Sequence, residues 1–198
     1  MPAKRFFART LVVVIAAALL SGCGAAVVVG GVATGAVVAH DRRTTGTFVE
    51  DQEIQLRVIK LRGQDPELVE KSNIDVTVYN LHVLLTGQAE NRALVERFRD
   101  RVLTIPRVRG VFDEVEIGAE STWGEATADA YLTSKVKLAL FDVGIESFDP
   151  TRVKVTSSLG SVYLMGLLTP TEADAVTEKV RFVSGVKRVV KLFEYIDG

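Results

Sequence analysis

The sequence predicts a protein of the α+β class, built from two copies of one αββαβ unit behind an apolar amino-terminal segment. Three observations predict this. The 198 residues have room for two small domains, and the carboxyl-terminal part of the chain repeats itself. Each repeat holds a strand-like alternation of apolar and polar residues beside segments of helical periodicity. Apolar residues dominate from 11 to 39, whereas the chain beyond Asp41 has the composition of an ordinary globular protein.

The amino-terminal segment has the features of a bacterial lipoprotein signal peptide. Positive charges precede a ten-residue apolar run, Leu11–Leu20, which is too short to span a bilayer. The sequence Leu20-Ser21-Gly22-Cys23 resembles the lipobox, in which a peptidase cuts before a cysteine that carries diacylglycerol. We therefore expect residues 1–22 to be removed and Cys23 to bear diacylglycerol and an N-acyl chain, with no other cofactor. An uncleaved anchor over residues 11–39 is the alternative.

Residues 23–46 are expected to form a lipidated tether rich in glycine, alanine and valine. Within the apolar stretch Gly24–Ala39, Gly31 and Gly35 form a single GxxxG pattern. The stretch is therefore either a flexible tether of small residues at the leaflet or a helix-packing face within lipid. Gly24, which follows the cysteine, is not an aspartate, so the usual Gram-negative sorting pattern directs the protein to the outer membrane.

Three pairs of segments align the two copies. Ile54 and Val58 match Leu132 and Val136 at an offset of 78 residues. Ile74–Gly87 matches Val153–Gly166 at an offset of 79, and Val108–Val111 matches Val183–Val186 at an offset of 75. Because the anchors keep the same order, we interpret them as a tandem duplication. We assign residues 47–118 to the first domain, 119–127 to a linker and 128–198 to the second domain.

Each copy contains the same series of elements. A helix over about residues 50–62 or 128–142 comes first, followed by an alternating strand, a tight turn at 79–82 or 157–160, and a second strand that ends on a glycine. A second helix follows, and in copy two Thr169–Glu172 reads as a capping box. A last strand, over 111–117 or 186–196, completes the sheet. The apolar stripes of the second helices are Leu94, Val95, Phe98 and Val102 in copy one, and Ala173, Val176, Val180 and Val183 in copy two.

This order of elements resembles the BON domain. The resemblance rests on the glycine that closes the second strand, the helix after it and a Val-x-Gly-Val turn into the last strand. Val162–Gly166 and Val183–Val189 are especially similar to the family. With its lipobox, the approach Thr44–Thr47, both units and the linker residues Gly124–Ala126, the chain is similar to the outer-membrane lipoproteins with two BON domains. The resemblance implies two helices on one three-stranded mixed sheet in each unit.

The composition excludes several classes of function. A formal net charge of -1 argues against a nucleic-acid binder, and one cysteine with two histidines excludes a disulfide scaffold and a Cys/His zinc site. The chain lacks GxSxG, P-loop and HExxH patterns, and His82 at a strand turn is interpreted as structural. Glu120, Glu125 and Asp129 near the linker would be the remaining candidates for a glycosidase pair, but nothing in the sequence buries them. We expect no catalytic residue and no metal site.

The first helix of copy two differs from its counterpart in copy one. At about 100° per residue, its core-facing residues are Leu132, Val136, Ala139 and Val143, as Ile54, Val58 and Leu61 are in copy one. Tyr131, Leu138 and Phe141 lie on the opposite face, beside Lys135 and Lys137. The counterparts of Tyr131, Lys135, Leu138 and Phe141 in copy one are, in that order, Glu53, Arg57, Lys60 and Gly63. An apolar ridge flanked by lysines suits the bilayer interface. The outer face in copy one is expected to be charged.

The predicted membrane-binding residues are Trp123, Tyr131, Leu132, Ser134, Lys135, Lys137, Leu138 and Phe141. The resemblance implies that this helix of the second BON domain binds anionic phospholipid, with Tyr131 where the family has a tryptophan. Tyrosine also favours interfaces, and Trp123 just before the helix is expected to compensate. The alternative is that the ridge packs against copy one and forms the contact between the domains.

We therefore expect a non-enzymatic lipoprotein, anchored in the outer membrane and facing the periplasm, that binds anionic phospholipids such as phosphatidylglycerol and cardiolipin. The resemblance further implies a role in envelope integrity, at division sites. The alternative is an adaptor for periplasmic proteins of cell-wall amidase regulation or outer-membrane assembly. The sequence does not distinguish among anionic head groups and gives no specific role to copy one.

Overall fold

The computed structural model describes residues 41–118 and 123–197, which lie in a compact unit formed by His40–Gly198. The signal peptide, Cys23 and the tether up to His40 lie outside the described residues. The elements of the first domain are α1 (Thr45–Gly63), α2 (Pro66–Glu70), β1 (Ser72–Tyr79), β2 (His82–Ala89), α3 (Arg92–Leu103) and β3 (Gly110–Ile117). Those of the second are α4 (Trp123–Ala139, continued by the 3₁₀ turn Leu140–Asp142, which is counted with its faces below), β4 (Val153–Ser158), β5 (Ser161–Leu168), α5 (Pro170–Arg181) and β6 (Arg188–Tyr195). The predicted α+β fold of two αββαβ units is confirmed.

Each domain is built on a three-stranded mixed sheet with its second strand in the centre. In the first sheet β2 pairs antiparallel with β1 and parallel with β3, and in the second sheet β5 does the same with β4 and β6. The predicted end of the central strand at a glycine is wrong, because β2 and β5 continue for two residues beyond Gly87 and Gly166. The glycine in β2 nevertheless has a steric reason. Gly87 has a φ of 106°, and a Cβ built there would lie 2.0 Å from the carbonyl oxygen of Asn73 on β1.

Two helices cover one face of each sheet, as predicted. The predicted stripe of α3 is fully buried, and so are Ala173, Val176 and Val180 of α5, with Val183 partly buried behind them. The capping box of α5 is confirmed, because Thr169 Oγ1 accepts from the Glu172 amide and the Glu172 carboxylate accepts from the Thr169 amide. The short helix α2 was not predicted. It begins with the Asp65–Pro66 pair, in which the Asp65 side chain caps the Leu68 amide.

One of the three sequence anchors that align the copies is wrong. Strands β3 and β6 meet the first residue of their central strands at Gly110 and Arg188, so the offset there is 78 and not 75. The two Val-x-Gly-Val strings therefore occupy different places. Gly185 lies in the turn before β6 with a φ of 100°, whereas the equivalent turn residue before β3 is Arg107, with a φ of 73°. In copy one the glycine of this string, Gly110, lies in strand β3 and not in the turn. The two strings are therefore similar in sequence but occupy different structural positions.

The two sheets pack against each other by the faces that carry no helices. The shared layer is centred on four buried residues, Tyr79, Leu84, Tyr163 and Met165, with Phe112, Leu167, Val190 and Leu192 at its edges. The hydroxyl oxygens of Thr77 and Thr156 lie 3.1 Å apart across it. The layer order is therefore helices, sheet, sheet, helices, with α1 and α4 on opposite sides. The sheets form the contact between the domains, and the alternative that gave this role to the ridge on the first helix of copy two is wrong.

Candidate membrane-binding site

The outer face of α4 carries three large apolar side chains that nothing covers in the described part of the protein. Tyr131, Leu138 and Phe141 are 66%, 70% and 75% exposed. The opposite face of the helix is held in the core, where Val136 and Leu140 are buried. The structure therefore brings together the apolar ridge that the sequence predicts.

Leu132 does not belong to this surface. It is only 4% exposed and packs in the core of the second domain. At about 100° per residue it lies on the same side of α4 as Val136, four residues on. Leu132 exposes only a small part of its surface, to a cleft beside the ridge, so it cannot insert into lipid as the ridge residues can, and its inclusion among the membrane-binding residues is wrong.

The two lysines beside the ridge have different surroundings. The Lys135 ammonium donates to the carbonyl oxygen of Ser184 and lies 4.9 Å from the centroid of the Tyr131 ring, so it ties α4 to the turn after α5. Lys137 is exposed. Ser134, also exposed, donates its hydroxyl to the Ala130 carbonyl at 3.0 Å, within its own helix. Lys137 is therefore the lysine of this pair that can turn to a phosphate at least cost.

Trp123 is the first residue of α4, and its side chain lies outside the described part of the structure. Beside the ridge there is an open cleft of about 290 Å³, lined among others by Glu125, Asp129, Lys135 and Lys187. Two carboxylates and two ammonium groups share this cleft. It is therefore not strongly cationic, and the exposed helix face is the better candidate for contact with an anionic surface.

The outer face of α1 is not uniformly charged, contrary to the sequence-based expectation. Val49, Leu56 and Ile59 are 60%, 67% and 50% exposed. At the structural offset of 78 they correspond to Thr127, Ser134 and Lys137 on α4. The two first helices thus carry apolar ridges on neighbouring but different rows. The ridge of α1 does not lie at the positions that correspond to Tyr131, Leu138 and Phe141, so a comparison of those positions between the two copies does not reveal it.

Two aspartates, Asp51 and Asp129, hold the first helix of each domain to its hairpin, a role that the sequence did not predict for either. The buried Asp51 accepts from the amides of Asn80 and Leu81 at 2.8 and 2.7 Å. Asp129 accepts from the amides of Leu159 and Gly160 at 2.7 and 3.0 Å. The signal was present, because both occupy the same position of the repeat three residues before the first buried apolar residue. Their role is structural, and it explains Asp129 without a glycosidase.

The turns that these aspartates hold contain two residues with positive φ. The pairs are Asn80 and Leu81, at 48° and 67°, and Leu159 and Gly160, at 54° and 80°. Both therefore have the left-handed backbone of a two-residue hairpin, and the second turn lies one residue later than predicted.

The segment before α1 packs on the tyrosine through which the first domain contacts the second. The Arg43 guanidinium pairs with Asp41 and with Asp51 and lies 4.0 Å from the centroid of the Tyr79 ring. Burial, with the Asp41 carboxylate as a second cause, raises the pKa of Tyr79 to about 12. The Tyr79 hydroxyl accepts from the Leu167 amide of the second domain at 3.3 Å. The tyrosine is thus a neutral part of the domain contact.

His82 also lies at this contact. Its ring stacks on Phe112 with centroids 5.6 Å apart, and its Nδ1 is 3.2 Å from the Asn80 carbonyl and 3.6 Å from the Glu194 carboxylate. These contacts agree with the structural interpretation of His82. Within residues 41–118 and 123–197, no group of three or more His, Cys, Asp or Glu side chains is placed to hold a metal ion. No helix of those residues is long and apolar enough to cross a membrane.

The sequence profile of the BON domain matches the chain twice, over residues 50–119 and 128–197. The chain belongs to the BON-domain family. It is 34% identical over 178 residues to the outer membrane lipoprotein DolP of Haemophilus influenzae, covering 90% of this chain and 91% of that one. It is 33% identical over 156 residues to the 21 kDa hemolysin of Actinobacillus pleuropneumoniae, covering 79% of each.

Among solved structures, the C-terminal domain of CdsD, a structural protein of the type III secretion system of Chlamydia trachomatis, is 14% identical, with a TM-score of 0.29, covering 74% of this chain and 67% of that one. The relationship to DolP, together with the two BON domains, confirms the predicted family and the predicted location at the outer membrane. Both also point to a protein that is not an enzyme.

Proposed function

We propose that the protein binds anionic phospholipid through the outer face of α4 and thereby supports the integrity of the envelope, at division sites. The observation that carries the proposal is the exposure of Tyr131, Leu138 and Phe141 on a helix whose other face is buried, with Lys137 beside them. Phosphatidylglycerol and cardiolipin are the lipids we expect. The relationship to an outer membrane lipoprotein supports the proposal, because a protein at the outer membrane works beside a phospholipid surface.

The energetics favour weak and reversible binding. Each apolar side chain that enters the acyl boundary contributes on the order of 1.5–3 kcal/mol, and each lysine near an anionic surface about 1 kcal/mol. Such a contact gives measurable partition onto vesicles at high lipid concentration, but it exchanges too quickly to hold the protein at a membrane durably. If acylated Cys23 anchors the chain, the second contact forms at a high effective concentration of lipid and becomes effective.

A vesicle assay on the compact unit His40–Gly198 tests the proposal. We expect this unit to sediment with vesicles that contain phosphatidylglycerol and to ignore vesicles of phosphatidylcholine alone. Leu138→Glu should abolish the binding. The matched control is Leu56→Glu, because Leu56 is about as exposed on the first helix of the other domain, so its substitution should leave vesicle binding unchanged. Binding that survives Leu138→Glu, or no vesicle binding at all, would refute the lipid proposal.

The second candidate function is an adaptor for periplasmic proteins, such as those of cell-wall amidase regulation or outer-membrane assembly. The exposed ridge of Val49, Leu56 and Ile59 favours it, because this ridge lies on the side of the protein opposite α4. In that case Leu56→Glu should abolish capture of the partner, while Leu138→Glu leaves it intact.

The anchor needs a test of its own. Cys23→Ala in the full chain should leave an unprocessed precursor that carries no acyl mass, read by mass spectrometry. A Cys23→Ala chain that is still cut after residue 22 would contradict lipoprotein processing.

A further inference from the structure

Phe182 is a large aromatic side chain that the sequence analysis did not assign to the membrane-binding face. It follows the last residue of α5 and is 72% exposed. The Arg181 guanidinium lies 4.8 Å from the centroid of its ring. Helices that lie in the interface of a bilayer carry exposed aromatic side chains next to lysine or arginine, and Phe182 with Arg181 has this combination.

Two contacts place Phe182 beside the ridge of α4. Lys179, three residues before it, pairs with Asp142, which follows Phe141. Lys135 binds the carbonyl oxygen of Ser184, two residues after it. The end of α5 therefore runs alongside the stretch of α4 between residues 135 and 142, which is the stretch that bears Leu138 and Phe141.

The helical geometry directs Phe182 to the same side of the domain as Leu138. Leu138 comes two residues after the buried Val136, and Phe182 comes two residues after the buried Val180. Two residues turn a helix by about 200°, so each side chain points away from its core. Because α4 and α5 cover the same face of one sheet, both side chains leave the domain on the side that faces away from the first domain.

The charges around Phe182 suit an anionic surface. Lys179 and Arg181 are paired with the neighbouring carboxylates of Asp142 and Glu178, so the excess positive charge around the ridge and the ring comes from Lys135 and Lys137. The first domain offers an internal comparison. Its residue at the position of Phe182 is Thr104, which also follows the last residue of its helix. The aromatic is thus specific to the domain that carries the ridge.

We propose that Phe182 is a further anchor in the interface of an anionic phospholipid bilayer, so that the second domain docks with both of its helices on the lipid. This inference rests on the proposed function, and it fixes the orientation of the domain. With Tyr131, Leu138 and Phe141 alone, the domain could roll about the axis of α4. An anchor at the end of α5 prevents that rotation.

The test uses the unit His40–Gly198 and vesicles of phosphatidylglycerol with phosphatidylcholine. Phe182→Thr, which installs the residue of the first domain, should lower the partition coefficient roughly fivefold, and Phe182→Glu should lower it further. The control is Leu103→Glu, which changes a partly exposed apolar residue at the end of α3 and should have no effect. Because Phe182 is mostly exposed, the circular dichroism and melting of the variants should match those of the parent unit.

A depth measurement reads the same anchor directly. The chain has one tryptophan, so Trp123→Phe combined with Phe182→Trp puts a single fluorophore at the proposed anchor. Lipids brominated on their acyl chains should quench its emission when vesicles are added. Unquenched emission, or unchanged binding of Phe182→Thr while Leu138→Glu abolishes binding, would overturn the anchor and leave the proposed function standing. Absence of vesicle binding in the parent unit would overturn both.

Discussion

The Arg42 guanidinium binds the Glu172 carboxylate through both of its terminal nitrogens, at 2.6 and 2.9 Å. Arg42 lies before α1 of the first domain, whereas Glu172 caps α5 of the second. Arg42 also donates to the Leu167 carbonyl, and Arg152 adds a bond to Glu172 at 3.1 Å. The segment that leads into the first BON domain is therefore fastened to the second, in addition to the contact between the sheets.

This ion pair predicts a loss of stability in acid. Burial opposes ionisation of Glu172, but hydrogen bonds from Arg42 and Thr169 outweigh it and lower the pKa of Glu172 from 4.5 to about 2. A carboxyl whose folded pKa is lowered stabilises the protein above its unfolded pKa. The stabilisation should thus be present above pH 4.5 and disappear as the pH falls towards 2, by at most about 3 kcal/mol. Urea unfolding of His40–Gly198 between pH 7 and 2 measures it.

The matched variants are Glu172→Gln and Glu178→Gln. The first should be less stable at pH 7 and should lose less stability on acidification, because the group that titrates is gone. Glu178 pairs with Arg181 on the exposed side of α5, so its substitution should change the free energy of unfolding by less than about 0.5 kcal/mol. Equal acid sensitivity of Glu172→Gln and the parent would contradict the assignment.

The paired aspartates under the two hairpins predict unequal costs. Asp51 is 1% exposed, accepts two backbone amides and neutralises Arg43, whereas Asp129 accepts two backbone amides at a partly exposed site. Asp51→Ala should therefore cost about 3–5 kcal/mol, because it leaves a buried guanidinium short of a partner. Asp129→Ala should cost about 1–3 kcal/mol. Urea unfolding compares them, and equal costs would show that Arg43 gains nothing from Asp51.

The helices and their inner faces were predictable because a buried stripe repeats at helical spacing. The register of β3 was not. Both copies contain a Val-x-Gly-Val string, and only the backbone reveals that Arg107 takes the left-handed turn conformation that Gly185 takes in the other copy. When the sequence alone is available, identical residues are the best guide to an alignment. Gly110 was therefore aligned with Gly185, which gave the wrong offset.

The packing of sheet on sheet had a signal that was not used. The central strands contain unbroken apolar runs, Val83–Leu85 and Val162–Met165, and such runs are typical of strands buried on both faces. Of the site, the ridge of α4 was predictable from helical periodicity. The hydrogen bond from Lys135 to the Ser184 carbonyl and the position of Phe182 beside the ridge could not be predicted, because both depend on how α5 lies beside α4.

The contact between the sheets predicts energetic coupling across the two domains. Leu84 of β2 and Met165 of β5 are both buried in the shared layer. Each substitution by alanine should cost about 2–5 kcal/mol, and the pair should deviate from additivity by about 0.5–3 kcal/mol. A double-mutant cycle of Leu84→Ala with Val176→Ala is the control, because Val176 lies in the separate core under α5 and should be additive within about 0.5 kcal/mol. Additivity of the first pair would contradict the shared layer.

The lysines beside the ridge predict different salt dependences of lipid binding. Lys137 is exposed, whereas the Lys135 ammonium is engaged by the Ser184 carbonyl and the Tyr131 ring. Lys137→Ala should lower the affinity for vesicles with phosphatidylglycerol about fivefold at low salt, as expected for about 1 kcal/mol. The difference should shrink near 0.5 M salt, where the Debye length is only a few ångströms.

Lys135→Ala should act differently, because it removes a contact within the protein as well as a charge. Its effect on vesicle binding should persist at high salt, since the Tyr131 ring and the turn after α5 lose the group that holds them together. Comparison with Lys135→Met isolates the packing of the side chain, because methionine keeps an apolar chain of similar length beside the ring while the charge and the hydrogen bond are lost in both variants. Identical salt curves for the Lys135 and Lys137 variants would show that both act only through charge, and that the bond to Ser184 gives way when lipid is bound.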